Sequence, residues 1–144
     1  MKFIVRKAEE KDLNSIAELY ATKKDYPHSP FGKEKREIFK TMLSDLSRSV
    51  LVGERNGTVC AFISMKIEHK FENNLLPCAV INDLKAEEND AEILCAVISR
   101  AIAVSMENEC TEITLYDKNI TAEKNSLYSI CGFRERGGFF RKQI

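Results

Sequence analysis

The sequence predicts an α/β domain in which a mixed β-sheet is flanked by about four helices. Three observations predict it. Apolar runs rich in β-branched residues alternate along the chain with stretches whose apolar residues recur at helical spacing. An Asn56-Gly57 pair joins two strand-like runs, and both residues tolerate the positive φ of a tight hairpin. No linker, repeat or low-complexity stretch divides the 144 residues, so residues 1–144 read as a single domain with one substantial core.

Phe3-Ile4-Val5-Arg6 is the first strand. Asp12 is placed to cap a helix whose Leu13, Ile16, Ala17 and Tyr20 follow i, i+3, i+4, i+7 spacing. Tyr26-Pro27-His28-Ser29-Pro30 breaks that helix, because proline disfavours helix in the residue before it. A second helix is expected from Lys33 to Ser47, with Ile38, Phe39, Met42, Leu43 and Leu46 as its apolar stripe. Val50–Arg55 and Val59–Met65 are the arms of the hairpin, the second continuing to Ile67 or beyond, and Phe71 to Pro77 is a loop. Cys78–Leu84 is a further strand. Asp90 to Glu107 is a long helix with an apolar arc wide enough for deep burial. Glu112–Tyr116 is a strand, Ala122–Cys131 a short helix, and Phe133–Ile144 a strand pair turning at Gly137-Gly138.

Composition narrows the function classes. The 22 basic residues balance the 22 acidic ones, which argues against a general affinity for nucleic acid or for an anionic membrane. No apolar run is long enough to span a bilayer, and the N-terminus lacks the apolar core of a signal peptide. Five scattered cysteines and two histidines, with no C-x-x-C pair, point away from a zinc site or a disulfide framework. Cys60, Cys95 and Cys131 lie in apolar runs and read as small buried hydrophobes, which fits a reducing cytoplasm.

The most informative stretch is Ser126-Leu127-Tyr128-Ser129-Ile130-Cys131-Gly132-Phe133. It sets a phenol on a short helix, a glycine suited to a left-handed C-cap, and an aromatic that opens a strand. Tyr-x-x-Cys-Gly-Phe resembles the C-terminal signature of the GNAT N-acetyltransferase superfamily, and the order of elements matches that fold over essentially the whole chain. The resemblance implies a GNAT-like fold and transfer of an acetyl group from acetyl-CoA to a primary amine, by direct attack and without a metal. It makes Tyr128 the acid that protonates the departing thiolate; Tyr128 taken alone would read as a core tyrosine. Leu84, Lys85 and Ala86 fall where the family's fourth strand pairs with the pantetheine arm. Asn119 falls near the asparagine that follows the fifth strand, although an asparagine there is often only a turn residue.

The general base must take a proton from the acceptor amine. Asp83 lies on the strand where the family often carries a glutamate and is the preferred candidate; Asn82 is its neighbour, and Glu68 and His69 are weaker ones. Segments 25–31, which includes His28, and 69–77 are where the fold would build an acceptor pocket. Cys131 is expected to be packed rather than nucleophilic.

One part of the chain departs from the family pattern. Its phosphate loop, Arg/Gln-x-x-Gly-x-Gly/Ala, falls on Asn89-Asp90-Ala91-Glu92-Ile93-Leu94, and no glycine occurs between Gly57 and Gly132. Asn89 takes the place of the basic or amide residue. Glu87, Glu88, Asp90 and Glu92 crowd the helix start. A carboxylate ~6 Å from a phosphate costs about 3 kcal/mol at an effective dielectric of ~20. Weak acetyl-CoA binding is therefore expected. The alternative is a non-catalytic GNAT-like binding or oligomerisation module that has lost the donor site; a homodimer is compatible with either. The sequence does not name the acceptor.

Overall fold

The computed structural model describes residues 3–21, 32–87, 90–117, 120–137 and 139–144. The first strand, β1 (Phe3–Lys7), leads through a 3₁₀ turn (Glu10–Asp12) into α1 (Leu13–Ala21). Then come α2 (Lys33–Ser44), β2 (Arg48–Arg55), β3 (Thr58–His69) and β4 (Pro77–Ala86). The chain continues through α3 (Ala91–Glu107), β5 (Glu112–Leu115), α4 (Ala122–Ile130), β6 (Arg134–Glu135) and β7 (Phe140–Gln143). The seven strands form one sheet in the order β1-β2-β3-β4-β5-β7-β6. Neighbours are antiparallel except β4 and β5, which run parallel because α3 carries the chain across between them.

Local chemistry explains the element ends. Asn56 and Gly57 adopt φ of 53° and 82°, so the hairpin between β2 and β3 forms as its sequence predicts. Gly132 has φ of 92° and closes α4, again as expected. The second helix ends at Ser44, short of the expected Ser47. Asp45 is extended there, and its carboxylate accepts hydrogen bonds from the Ser47 N–H and hydroxyl at 2.9 and 2.7 Å. That local turn competes with another helical turn and wins. Asp12 does not cap α1 directly. It closes the preceding turn by accepting the Glu9 N–H at 2.7 Å, and Arg6 grips its carboxylate at 2.8 and 2.9 Å. Burial would push the Asp12 carboxyl up, but the bonds from Arg6 and Glu9 outweigh it and hold it below the usual carboxylate range.

The sheet separates two apolar layers. On one face Ile63, Met65 and Ile81 of the sheet pack in one cluster with Ile93 and Val97 of α3 and Tyr128 of α4. On the other, Val52 and Phe62 of the sheet pack in one cluster with Leu13 and Ile16 of α1 and Phe39 of α2. Gly53 sets how closely α3 lies on the sheet. A Cβ there would stand 2.9 Å from Ile93 Cγ1 and 3.1 Å from Val97 Cγ1. Gly53→Val should therefore push α3 off β2 and cost about 1–3 kcal/mol, read as a lower urea midpoint with an unchanged m-value. An unshifted midpoint would mean that α3 does not depend on this close approach.

Candidate active site

The site begins with one extra residue. In the pairing of β3 with β4, Ser64 faces Asp83 and Met65 faces Ile81, so Asn82 is unmatched and forms a β-bulge. Ile81 points into the layer under α3. Without the bulge Asp83, two residues on, would point the same way. The bulge reverses it, and Asp83 faces α1 and α2 together with Ser64 and Phe62.

There Asp83 lines a cavity of about 320 Å³. The walls are Leu13, Ile16 and Ala17 of α1, Phe39 and Met42 of α2, and Phe62 of β3. Asp83 itself remains exposed to solvent; partial desolvation against these side chains pushes its carboxyl above its ordinary range, and the nearby Arg48 charge offsets only part of that. Arg48 is itself held by a 3.1 Å hydrogen bond to the buried Ser64 hydroxyl. A carboxylate of raised pKa in an apolar cleft is suited to proton abstraction.

On the other side of the bulge the sheet opens. β4 and β5 pair only through Ala79–Ile113, Val80–Thr114 and Ile81–Leu115. The last link is Tyr116 N–H to the Ile81 carbonyl at 3.4 Å. Past it, β4 continues against β3 alone, with Leu84 and Ala86 packed toward α3. Leu84, Lys85 and Ala86 lie on this stretch of β4, beyond its pairing with β5.

Tyr128 stands behind the β5 side of the opening, 1% exposed. Its ring meets Phe140 edge-on at 5.1 Å. Its hydroxyl donates to Asp117 Oδ2 at 2.7 Å, just past the end of β5, and Lys124 Nζ lies 3.4 Å from the same oxygen. Burial and then the Asp117 carboxylate hold the phenol pKa well above its usual value. Asp117 was not singled out from the sequence, where Tyr116-Asp117-Lys118-Asn119 resembles any polar strand exit.

The start of α3 is also more furnished than its sequence suggests. Asp90 caps the helix by accepting the Ile93 N–H at 3.2 Å. Arg55 of β2 reaches the same carboxylate at 2.9 and 3.3 Å, lies 3.9 Å from Glu92, and stacks over Phe3 at 5.4 Å. A cation from 35 residues away thus offsets part of the negative charge at the helix start. Asn89, Asn119, Glu88 and His28 lie outside the described residues.

The weaker candidates lie elsewhere. Glu68 and His69 sit at the far end of β3, where Glu68 is 3.9 Å from Lys70 and His69 Nδ1 is 2.8 Å from the Leu75 carbonyl. The Cys131 thiol touches Cys95, and burial pushes it up to about 11, which leaves it protonated at neutral pH. Among the described residues no three His, Cys, Asp or Glu side chains converge as metal ligands, and no helix is long and apolar enough to cross a membrane.

Neither the protein-family models nor the curated proteins give a match to this sequence. The fold itself recurs among solved structures. A glucosamine-6-phosphate N-acetyltransferase from Arabidopsis thaliana superposes with a TM-score of 0.80 at 21% identity, over 95% of each chain. A transcriptional regulator from Bacillus halodurans C-125 gives 0.84 at 16% identity, over 94% of this chain and 97% of that one. The paiA N-acetyltransferase from Thermoplasma acidophilum, solved in complex with coenzyme A, gives 0.67 at 18% identity over the full length of both. The chain has the GNAT acetyltransferase fold, as its sequence predicts. At these identities the likeness establishes fold, and a regulator stands among the neighbours.

Proposed function

We propose that this protein is a GNAT-type N-acetyltransferase that acetylates a primary amine, with low affinity for its donor. One observation carries the reading: a β-bulge at Asn82 turns Asp83 into an apolar cavity at the point where β4 and β5 part. An amine on one side of the sheet and a thioester on the other would meet there. Neighbours named as acetyltransferases, one of them solved with coenzyme A, support the same reading.

Acetyl-CoA, when bound, supplies the activated acetyl group and a thiolate leaving group. The β4 border at Leu84, Lys85 and Ala86 would align its pantetheine arm. Asp83 takes the proton of the ammonium, and the freed amine attacks the acetyl carbonyl. The C–N bond forms, the C–S bond breaks, and the thiolate receives a proton from Tyr128; the surplus N–H proton shed as the nitrogen becomes an amide passes through solvent to the phenolate and restores Tyr128. Asp83 later gives its proton to water. The products are the amide and coenzyme A.

The start of α3 fits a diphosphate less well, because Asp90 already occupies the cap and engages Arg55. Calorimetric titration with acetyl-CoA is expected to give a Kd above ~1 mM. Asp90→Asn retains a capping oxygen, removes one repelling charge and loosens the hold on Arg55. It should tighten acetyl-CoA binding at least about tenfold, equal to 1.4 kcal/mol. Micromolar binding by the unaltered protein would refute the weak-donor reading. No gain in the variant would refute the electrostatic account. The same Asp90–Arg55 pair favours a second reading, a non-catalytic domain of this fold. That reading is preferred if neither form binds the donor or makes product.

A further inference from the structure

We propose that the cavity between α1, α2 and β4 takes a primary amine carried on a bulky apolar, preferably aromatic, body, with its ammonium group at Asp83. The acetyl-transfer reading says what then happens to the amine; the binding preference stands on the cavity. Among the described lining residues, Asp83 is the one acidic group and Lys35 the one basic group. A single ammonium has one carboxylate to meet. A second ammonium, as in a polyamine, would find apolar walls and Lys35. Sugar hydroxyls would lose water and gain few partners against Leu13, Ile16, Phe39, Met42 and Phe62. An apolar ring loses nothing there and is driven in by burial. Tyr20, which meets Phe62 edge-on at 6.2 Å, adds an aromatic edge to the wall. A volume of about 320 Å³ is at the small end for ligand pockets, which suits one ring and a short arm better than a nucleotide or a folded peptide segment.

The test is binding in the absence of donor. 2-Phenylethylamine, 2-phenylethanol, spermidine and glucosamine are titrated into the ¹⁵N-labelled protein, its Asp83→Asn variant and its Ile38→Lys variant. Ile38 lines the rim and is 49% exposed, so that change should not disturb folding. The expected result is that 2-phenylethylamine shifts resonances of α1, α2 and β4 and binds at least about tenfold tighter than the other three probes. Either variant should weaken it by about tenfold. Equal or tighter binding of spermidine or glucosamine would overturn the proposal. So would shifts confined to other elements, or 2-phenylethanol binding as well as the amine. Acetyl-CoA is then added and N-acetyl-2-phenylethylamine is sought. Selective binding without product keeps the cavity assignment and sinks acetyl transfer. Product without binding preference among the amines does the reverse.

Discussion

Replacing Asp83 with asparagine will lower acetyl transfer by about 10²–10⁴-fold, the usual worth of a positioned general base. The amide keeps the shape of the side chain and removes its ability to take a proton. The pH profile identifies the group. Partial desolvation raises the Asp83 carboxyl above its ordinary range, so activity should fall as pH drops through that raised pKa. The same shift fixes the sign of the stability effect. A carboxyl whose folded pKa is raised favours folding most when protonated, and that favour is lost as pH rises through the folded value. At neutral pH the ionised Asp83 therefore works against the fold, and Asp83→Asn should melt at or above the temperature of the unaltered protein. The difference should close as the buffer is made acidic. A variant that melts lower at neutral pH and keeps its rate would make Asp83 a structural residue.

The sequence carried the element order well, because most elements follow from local rules. Hydrophobic spacing marked α1 and α3, Asn56-Gly57 marked the hairpin, and Gly132 marked the end of α4. Its errors were also local. Asp45 stops α2 through a side-chain turn that competes with the helix, and Asp12 serves the 3₁₀ turn and Arg6 instead of capping α1. The candidate site was legible only in part. Asp83 could be chosen from its strand, but its orientation depends on the unmatched Asn82, and a bulge is a property of two paired strands. Reading residues 87–94 in isolation produced an uncompensated acidic cluster. Arg55 arrives there from β2, and only the fold brings the two together. The cavity beside Asp83 is walled by the facing apolar stripes of two helices and a strand, which only the fold brings together; residues 25–31, where an acceptor pocket is expected, lie outside the described residues.

Tyr128→Phe should lower acetyl transfer by about 10²-fold, the lower end of the range for general acids. The lower end is expected because the phenol already donates to Asp117 at 2.7 Å, and its raised pKa makes proton transfer to a thiolate less favourable. Phenylalanine preserves the edge-on packing against Phe140, so the ring's share of the core survives. What is lost is the hydrogen bond, which leaves Asp117 to Lys124 and solvent. A bond to a charged group is worth about 1.5–3 kcal/mol, so a lower melting temperature is expected whatever the catalytic role. Stability alone therefore cannot decide, and Asp117→Asn separates the two roles. It retains an oxygen that accepts from the phenol but removes the negative charge that holds the proton. If Tyr128 is the acid, Tyr128→Phe loses rate while Asp117→Asn keeps it, at comparable cost in stability. If Tyr128 serves only the core, both variants lose stability and neither loses more than about threefold in rate, far below what a missing acid would cost.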